Sequence, residues 1–256
     1  MQLSPLVIVM LAGASFVAGT VDAIAGGGGL LTVPSLLAAG LPTDLALGTN
    51  KGCSTFGTSM AAWTFMRAGQ LPLSRAALGF ACGGAGALVG ARLQLALSPA
   101  ALKPIVLGLL VVVAVVLAVP RKKPAQSVTA VAARQPGALG PAVLALVLGV
   151  YDGFFGPGTG TFLIVGAVSL FGVTMARATA DAKAVNLGSN VASLVTFAIK
   201  GTVLWPIALP MAAANVAGGR LGARLAMKGG DRTIRLTVIA VSLAIVAKLG
   251  FDLWRR

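Results

Sequence analysis

The chain has 256 residues, of which 57% are hydrophobic and 10% charged, against roughly 25% charged in an average soluble domain. Twenty Lys and Arg face six Asp and no Glu or His, for a net charge of +14. This inventory disfavours a soluble fold, imidazole chemistry and most transition-metal sites. Much of the positive charge lies between apolar runs, where it acts as an orientation signal and favours anionic lipid headgroups, so no nucleic-acid partner is expected.

The first apolar run, 6–25, follows no basic segment, because the first Lys is Lys51. It is therefore expected to be a retained membrane helix and not a leader. Asp22 lies near its end, and Gly26-Gly-Gly-Gly29 interrupts it. A short apolar segment, 30–39, follows. At about 1.5 Å per residue it extends only about 15 Å, half a bilayer. Next comes a helix carrying Asn50 and Lys51 near its start, with Ser54, Thr55, Thr58 and Ser59 behind them. Apolar runs at 76–97 and 102–119 complete a first membrane repeat, 1–119. The segment 120–137 is polar, punctuated by Pro and positively charged, as expected of a cytoplasmic linker.

The second half, 138–256, repeats this order. At an offset of 132, Gly86, Gly90, Ala91, Arg92 and Leu93 match Gly218, Gly222, Ala223, Arg224 and Leu225, and Lys51 matches Lys183. Upstream the offset is 130, so Asp22 faces Asp152 and the first glycine string faces Gly156-Pro-Gly-Thr-Gly160. A second short segment, 161–171, follows that break, and Asn186, Ser189, Asn190 and Ser193 follow Lys183. Chance likeness of two apolar helices would not align charged and glycine positions together, so we read a duplication. The expected fold is an all-α integral membrane protein of two homologous repeats, with half-helices at the glycine breaks. The apolar run 234–249 is its last span.

Loop charges favour an inverted arrangement. If each half crosses an odd number of times, loops 67–75, 120–137, 173–177 and 226–235 share a side and carry ten Lys/Arg against four. An even number gives nine against five. In the inverted arrangement Arg255 and Arg256 would lie outside, which counts against it.

Candidate chemistry centres on the breaks. A broken backbone inside lipid is tolerated where it is buried in protein or lines a wet cavity. A helix restarting there aims unpaired N–H groups and the positive end of its dipole into that space, which suits an anion. Gly27, Gly28 and Gly29, with Gly158, Thr159 and Gly160, are thus candidate substrate-binding residues. The alternative is that these glycines only permit tight packing. Lys51 and Lys183 would form a paired cationic centre, since an ionised Lys at membrane depth costs at least about 2.5 kcal/mol; the competing reading is snorkelling to an interface. Asn50, Asn186 and Asn190 would orient the substrate, or else glue helices together. Asp22 and Asp152 could neutralise the lysines, bind a coupling proton or sodium ion, or satisfy frayed helix ends. Asp181, two residues from Lys183, does not share its stripe. Gly86, Gly90, Gly218 and Gly222 read as close-packing positions, Arg92 and Arg224 as headgroup contacts, and Cys53 and Cys82 as structural thiols. No nucleophile–base set, metal site, cofactor motif or nucleotide-binding loop is present in the sequence.

These paired motifs resemble the TauE/SafE sulfite exporter-like family, also called the 4-toluene sulfonate uptake permeases, in its YfcA-like branch. The likeness rests on Asp22 to Pro34 with Gly48-Thr-Asn-Lys51, and on Tyr151 to Gly160 with Ala182-Lys183-Ala-Val-Asn186 and Ser189-Asn190. It implies a bacterial inner-membrane permease of about eight spans acting on sulfite, sulfonates or related organosulfur anions. In the second half Gly48-Thr-Asn-Lys51 becomes Ala-Asp-Ala-Lys183, so a strictly symmetric site is not expected. The sequence thus points to a secondary carrier for a small anion, with the bilayer and a coupling ion as partners and a homo-oligomer as an open option. The rivals are a non-transporting membrane scaffold and a cation carrier using Asp22 and Asp152.

Overall fold

A computed structural model describes residues 3–118 and 137–254. The basic linker, except its last residue, and Arg255 and Arg256 lie outside the described residues. Every regular element among those described is α-helical: α1 (Pro5–Ala25), α2 (Gly29–Ala38), α3 (Thr43–Arg67), α4 (Leu73–Leu95), α5 (Pro99–Ala118), α6 (Leu139–Phe154), α7 (Thr159–Phe171), α8 (Met175–Ile199) and α9 (Trp205–Trp254). The last run is two helices joined at Gly230, whose φ of 54° and ψ of −154° are not helical.

Local chemistry sets several boundaries. Ser4 caps α1 through the Val7 N–H at 3.4 Å, with Pro5 at the first helical position. Gly26 ends α1 in the left-handed conformation at φ 77°, its N–H donating to the Asp22 carbonyl at 2.8 Å. Thr174 caps α8 through Arg177 N–H at 3.2 Å. Both short helices begin slightly earlier than the sequence suggests, at Gly29 and Thr159, and the second has 13 residues.

The helices interleave across the halves. Helix α4 packs on α6 and α8, while α1 and α3 pack on the first part of α9. Four glycines permit this approach: a Cβ on Gly86 or Gly90 would collide with the carbonyls of Leu146 or Val150 on α6. One on Gly218 or Gly222 would collide with those of Phe16 or Thr20 on α1. The contacts also fix chain direction. Going up α3, Gly48, Gly52 and Gly57 meet Thr202, Ala208 and Asn215 in turn, so α3 and α9 run parallel. Gly79, Gly83 and Gly84 likewise meet Val185, Val185 and Gly188, so α4 and α8 run parallel. Since α3 and α4 are joined by a short turn, α3 and α8 run in opposite senses.

Three connections meet at one end of the bundle. Phe65, Leu71, Ala76, Ala180, Ala226 and Ile234 form one apolar cluster there. Above it Arg75 bridges Asp181 at 2.5 Å, and Asp231 accepts the Ala176 N–H at 2.9 Å. Leu36, Leu41, Ala46, Ile207 and Met211 cluster at the other end.

Polarity runs from the inside out. Leu6, Val9, Met10, Val17, Leu93, Val112, Val115 and Val147 are exposed, whereas Thr49, Asn50, Lys51, Asp152, Lys183, Asn186, Ser189 and Asn190 are buried. Two helices, Pro5–Ala25 and Leu73–Leu95, are long and apolar enough to cross a membrane by length and composition. The arrangement suits lipid, where apolar side chains need no cover and polar ones do.

The interleaving predicts where added volume is resisted. Gly90→Val and Gly222→Val should each cost at least about 1–3 kcal/mol through overpacking. Gly13→Ala, with nothing within 4 Å of a new Cβ, should be neutral or stabilising by up to about 1 kcal/mol. Thermal melting in detergent checks the order; equal melting of all three would contradict the packing.

Candidate functional site

Both lysines are the ninth residues of their helices, counted from Thr43 and Met175. At about 1.5 Å per residue each lies about 12 Å from its helix start. Their side chains are 3% and 0% exposed, so neither ammonium reaches an interface. Each is met by an aspartate from the other half of the chain. Lys51 Nζ donates to Asp152 Oδ1 at 3.0 Å and to Asn190 Oδ1 at 2.9 Å. Lys183 Nζ donates to Asp22 Oδ2 at 2.9 Å and to the Asp22 carbonyl at 2.5 Å. The two pairs therefore cross, tying α1 to α8 and α6 to α3.

The glycine breaks put the aspartates there. Asp22 and Asp152 each precede a break by one helical turn, so their carboxylates project toward the chain that restarts beyond it. The breaks also touch: a Cβ on Gly26 would collide with Gly160, and Thr161 Oγ1 donates to the Ala25 carbonyl at 2.8 Å. Gly156 has φ 96°, and a Cβ on it would stand 3.3 Å from Lys51 Nζ and 3.2 Å from Asp152 Oδ1. Glycine is needed there on both counts.

Between the breaks lies a cavity with about 30 Å³ of room for the centres of water molecules. Its wall includes Asp22, Gly28, Gly29, Asn50, Lys51, Asp152, Thr159, Gly160, Asn186 and Asn190. Gly27, Gly158 and Lys183 are buried but stand off this wall. Further wall residues are Thr32, Ser54, Thr58, Gly156 and Asn215. Thr32 donates to Asn50 Oδ1, and Asn190 Nδ2 donates to Thr58 Oγ1 at 3.2 Å. Ser54 Oγ and Asn186 Oδ1 have no hydrogen-bond partner among the described residues. Among the bonds that close the two turns, none is donated by the Gly29 or Gly160 N–H. The wall thus offers free polar groups of both kinds beside one ammonium.

The room holds about two waters. That room is smaller than an oxyanion of four or more heavy atoms, so the walls must move apart to admit one.

Outside the cavity, Asp181 pairs with Arg75 and, at 3.6 Å, with Arg177. Arg92 and Arg224 are exposed, Cys53 is buried and Cys82 half-buried, both as free thiols. No group of metal-ligating side chains occurs among the described residues.

A profile of the sulfite exporter TauE/SafE family matches residues 11–249. The chain belongs to this family. Its sequence is 36% identical over 239 residues to the probable membrane transporter protein ORF9 of Sinorhizobium sp, covering 93% of this chain and 90% of that one. It is 35% identical over 251 residues to the probable membrane transporter protein YfcA of Escherichia coli (strain K12), covering 98% and 92%. A probable membrane transporter protein of Haemophilus influenzae is 34% identical over 237 residues, covering 93% and 92%. No solved structure matches the chain. In this TauE/SafE chain the glycine breaks of the two halves meet at one cavity, lined by Asp22, Asp152 and Lys51, with Lys183 behind its wall.

The pairs can be tested as pairs. Lys183→Met alone strands the Asp22 carboxylate and should cost about 3–5 kcal/mol. Lys183→Met with Asp22→Asn should recover most of that loss in a melting experiment. A double variant no more stable than the single one would mean the pair does not form.

Proposed function

We propose that this chain is a multi-pass secondary carrier of the bacterial inner membrane, not an enzyme, and that it moves a small anion, sulfite or an organosulfonate. The observation that carries the reading is the meeting of two broken helices beside Lys51 in a buried polar cavity. Backbone N–H groups at the helix starts of α2 and α7, with the ammonium of Lys51, are donors of the kind an oxyanion needs. Asn50, Asn186 and Asn190 would orient it. The names of the relatives, probable membrane transporters, and of the family, sulfite exporter, agree with this reading.

The repeats are proposed to be inverted. Opposed directions of α3 and α8, the interleaved packing and the ends shared by loops 67–75, 173–177 and 226–235 all support it. Those loops carry Arg67, Arg75, Arg177, Lys228, Arg232 and Arg235, so that end is assigned to the cytoplasm. Binding at the junction of two inverted repeats is a familiar geometry for carriers. With no nucleotide-binding motif in the chain, an ion or substrate gradient would drive it.

The cation-carrier alternative is less favoured, because both carboxylates already accept an ammonium. Purified protein in liposomes, offered sulfite, sulfate, taurine, sulfoacetate and a carboxylate control, decides between the readings. Selective flux of a sulfur anion is expected, and Lys51→Met should reduce it at least about tenfold by removing a charged donor. Flux of the carboxylate alone would refute the sulfur-anion assignment. Flux unchanged by Lys51→Met but abolished by Asp→Asn would favour a cation carrier.

A further inference from the structure

The site as a whole is charge-balanced: Lys51, Asp22 and Asp152 line the cavity, and Lys183 stands behind its wall against Asp22. An anion added to a neutral, largely buried site brings an unbalanced charge into a place poor in water. It also finds Lys51 already held by Asp152. Both difficulties disappear if a carboxylate takes up a proton as the anion binds. The question is which one, and the surroundings of the two differ.

Asp22 receives only groups that donate and cannot accept. Its carboxylate is met by the Lys183 ammonium at 2.9 Å and the Gly28 N–H at 3.4 Å. Asp22 is a fifth exposed and lines the cavity, but no protein group that meets its carboxylate could accept its hydrogen if it were protonated. Asp152 is met instead by Lys51 and by two hydroxyls, Thr159 on Oδ1 at 3.1 Å and Ser189 on Oδ2. A hydroxyl donates or accepts as required. Each of these also has a second acceptor in place: the Gly156 carbonyl lies 2.7 Å from Thr159 Oγ1, and the Asn186 carbonyl 3.1 Å from Ser189 Oγ. Either hydroxyl can therefore swing its hydrogen to a carbonyl and accept one from a protonated Asp152. At the sequence offsets relating the halves, Thr159 and Ser189 correspond to Gly29 and Gly57, so Asp22 has no such hydroxyls.

The lysines divide in the same way. Lys51 lines the cavity and keeps Asn190 as a partner if Asp152 lets go. Lys183 stands off the wall, fully buried and anchored on a backbone carbonyl as well as a carboxylate.

We propose that Asp152 is the coupling residue of this carrier. One proton binds Asp152 for each monoanion admitted, which frees the Lys51 ammonium for the anion, while Asp22–Lys183 is a permanent structural pair. The inference rests on the anion-carrier reading above. The charged groups facing Asp152 are Lys51 from α3 and, further off, Asp22 from α1. Helix α7 presents Thr159, α8 presents Ser189, and α4 packs on α6 through Gly83, Gly86, Ala87 and Gly90.

The test uses full-length protein in liposomes with labelled methanesulfonate, which stays a monoanion throughout the working pH range, and sulfite as a second probe. Exchange of internal for external anion reads binding and crossing alone; accumulation driven by a pH gradient reads coupling. Wild type should do both. Asp152→Asn, whose amide imitates the protonated acid, should lose accumulation by far more than it loses exchange. Thr159→Val with Ser189→Ala removes the acceptors and should lower accumulation about tenfold relative to exchange, which decides the matter if Asp152→Asn fails to fold. Wild-type exchange with accumulation indifferent to pH would overturn the coupling. So would an Asp152→Asn protein that still accumulates anion with the gradient. No exchange of either probe by wild type would overturn the anion reading itself.

Discussion

A primary ammonium buried about 12 Å along a helix, away from water, must be neutralised by a partner or lose its charge. In this chain both buried ammoniums are answered by carboxylates from the opposite half. That requirement orders much of the rest. Each carboxylate is delivered one helical turn before its helix ends, and the glycine breaks set those ends. The chain must then turn back through short helices, and α4 and the start of α9 must interleave so that the halves close on each other. Removing one partner of either pair would leave an uncompensated charge beside a break in the backbone.

The closed cavity follows from the same arrangement. Its walls hold groups suited to an oxyanion, yet its room is about that of two waters. Alternating access, in which one repeat rocks against the other, would separate α2 and α7 and enlarge this space without breaking either helix. The cross-half pairs would serve as the hinge of such a motion, and a pair that can be discharged would bias it. The two halves are nearly symmetric in sequence, and Thr159 and Ser189 stand where the first half has glycines.

Much of this was legible in the sequence. The Asp, glycine and Lys positions recur at offsets of 130 and 132, and periodicity with length places the short helices to within two residues. Pairing was not legible. Lys51 and Asp152 are 101 residues apart, and Lys183 and Asp22 are 161, so no local spacing shows which carboxylate meets which ammonium. Thr32 was hidden because a threonine in an apolar half-helix is unremarkable in sequence. Asn215 sits in an Ala-rich run and has glycine, Gly83, as its counterpart in the other half; no repeat argument could have found it. Gly156 was visible as part of a break, but its duty beside Lys51 Nζ is a matter of three-dimensional proximity.

The central claim is that opposite charges from the two halves face each other at the breaks. Exchanging them tests it most directly. Lys51→Asp places two carboxylates together, and Asp152→Lys places two ammoniums together; each should abolish a cooperative melting transition in detergent. The combined Lys51→Asp and Asp152→Lys protein should melt cooperatively again. A combined protein as disrupted as the worse single reversal would contradict the account.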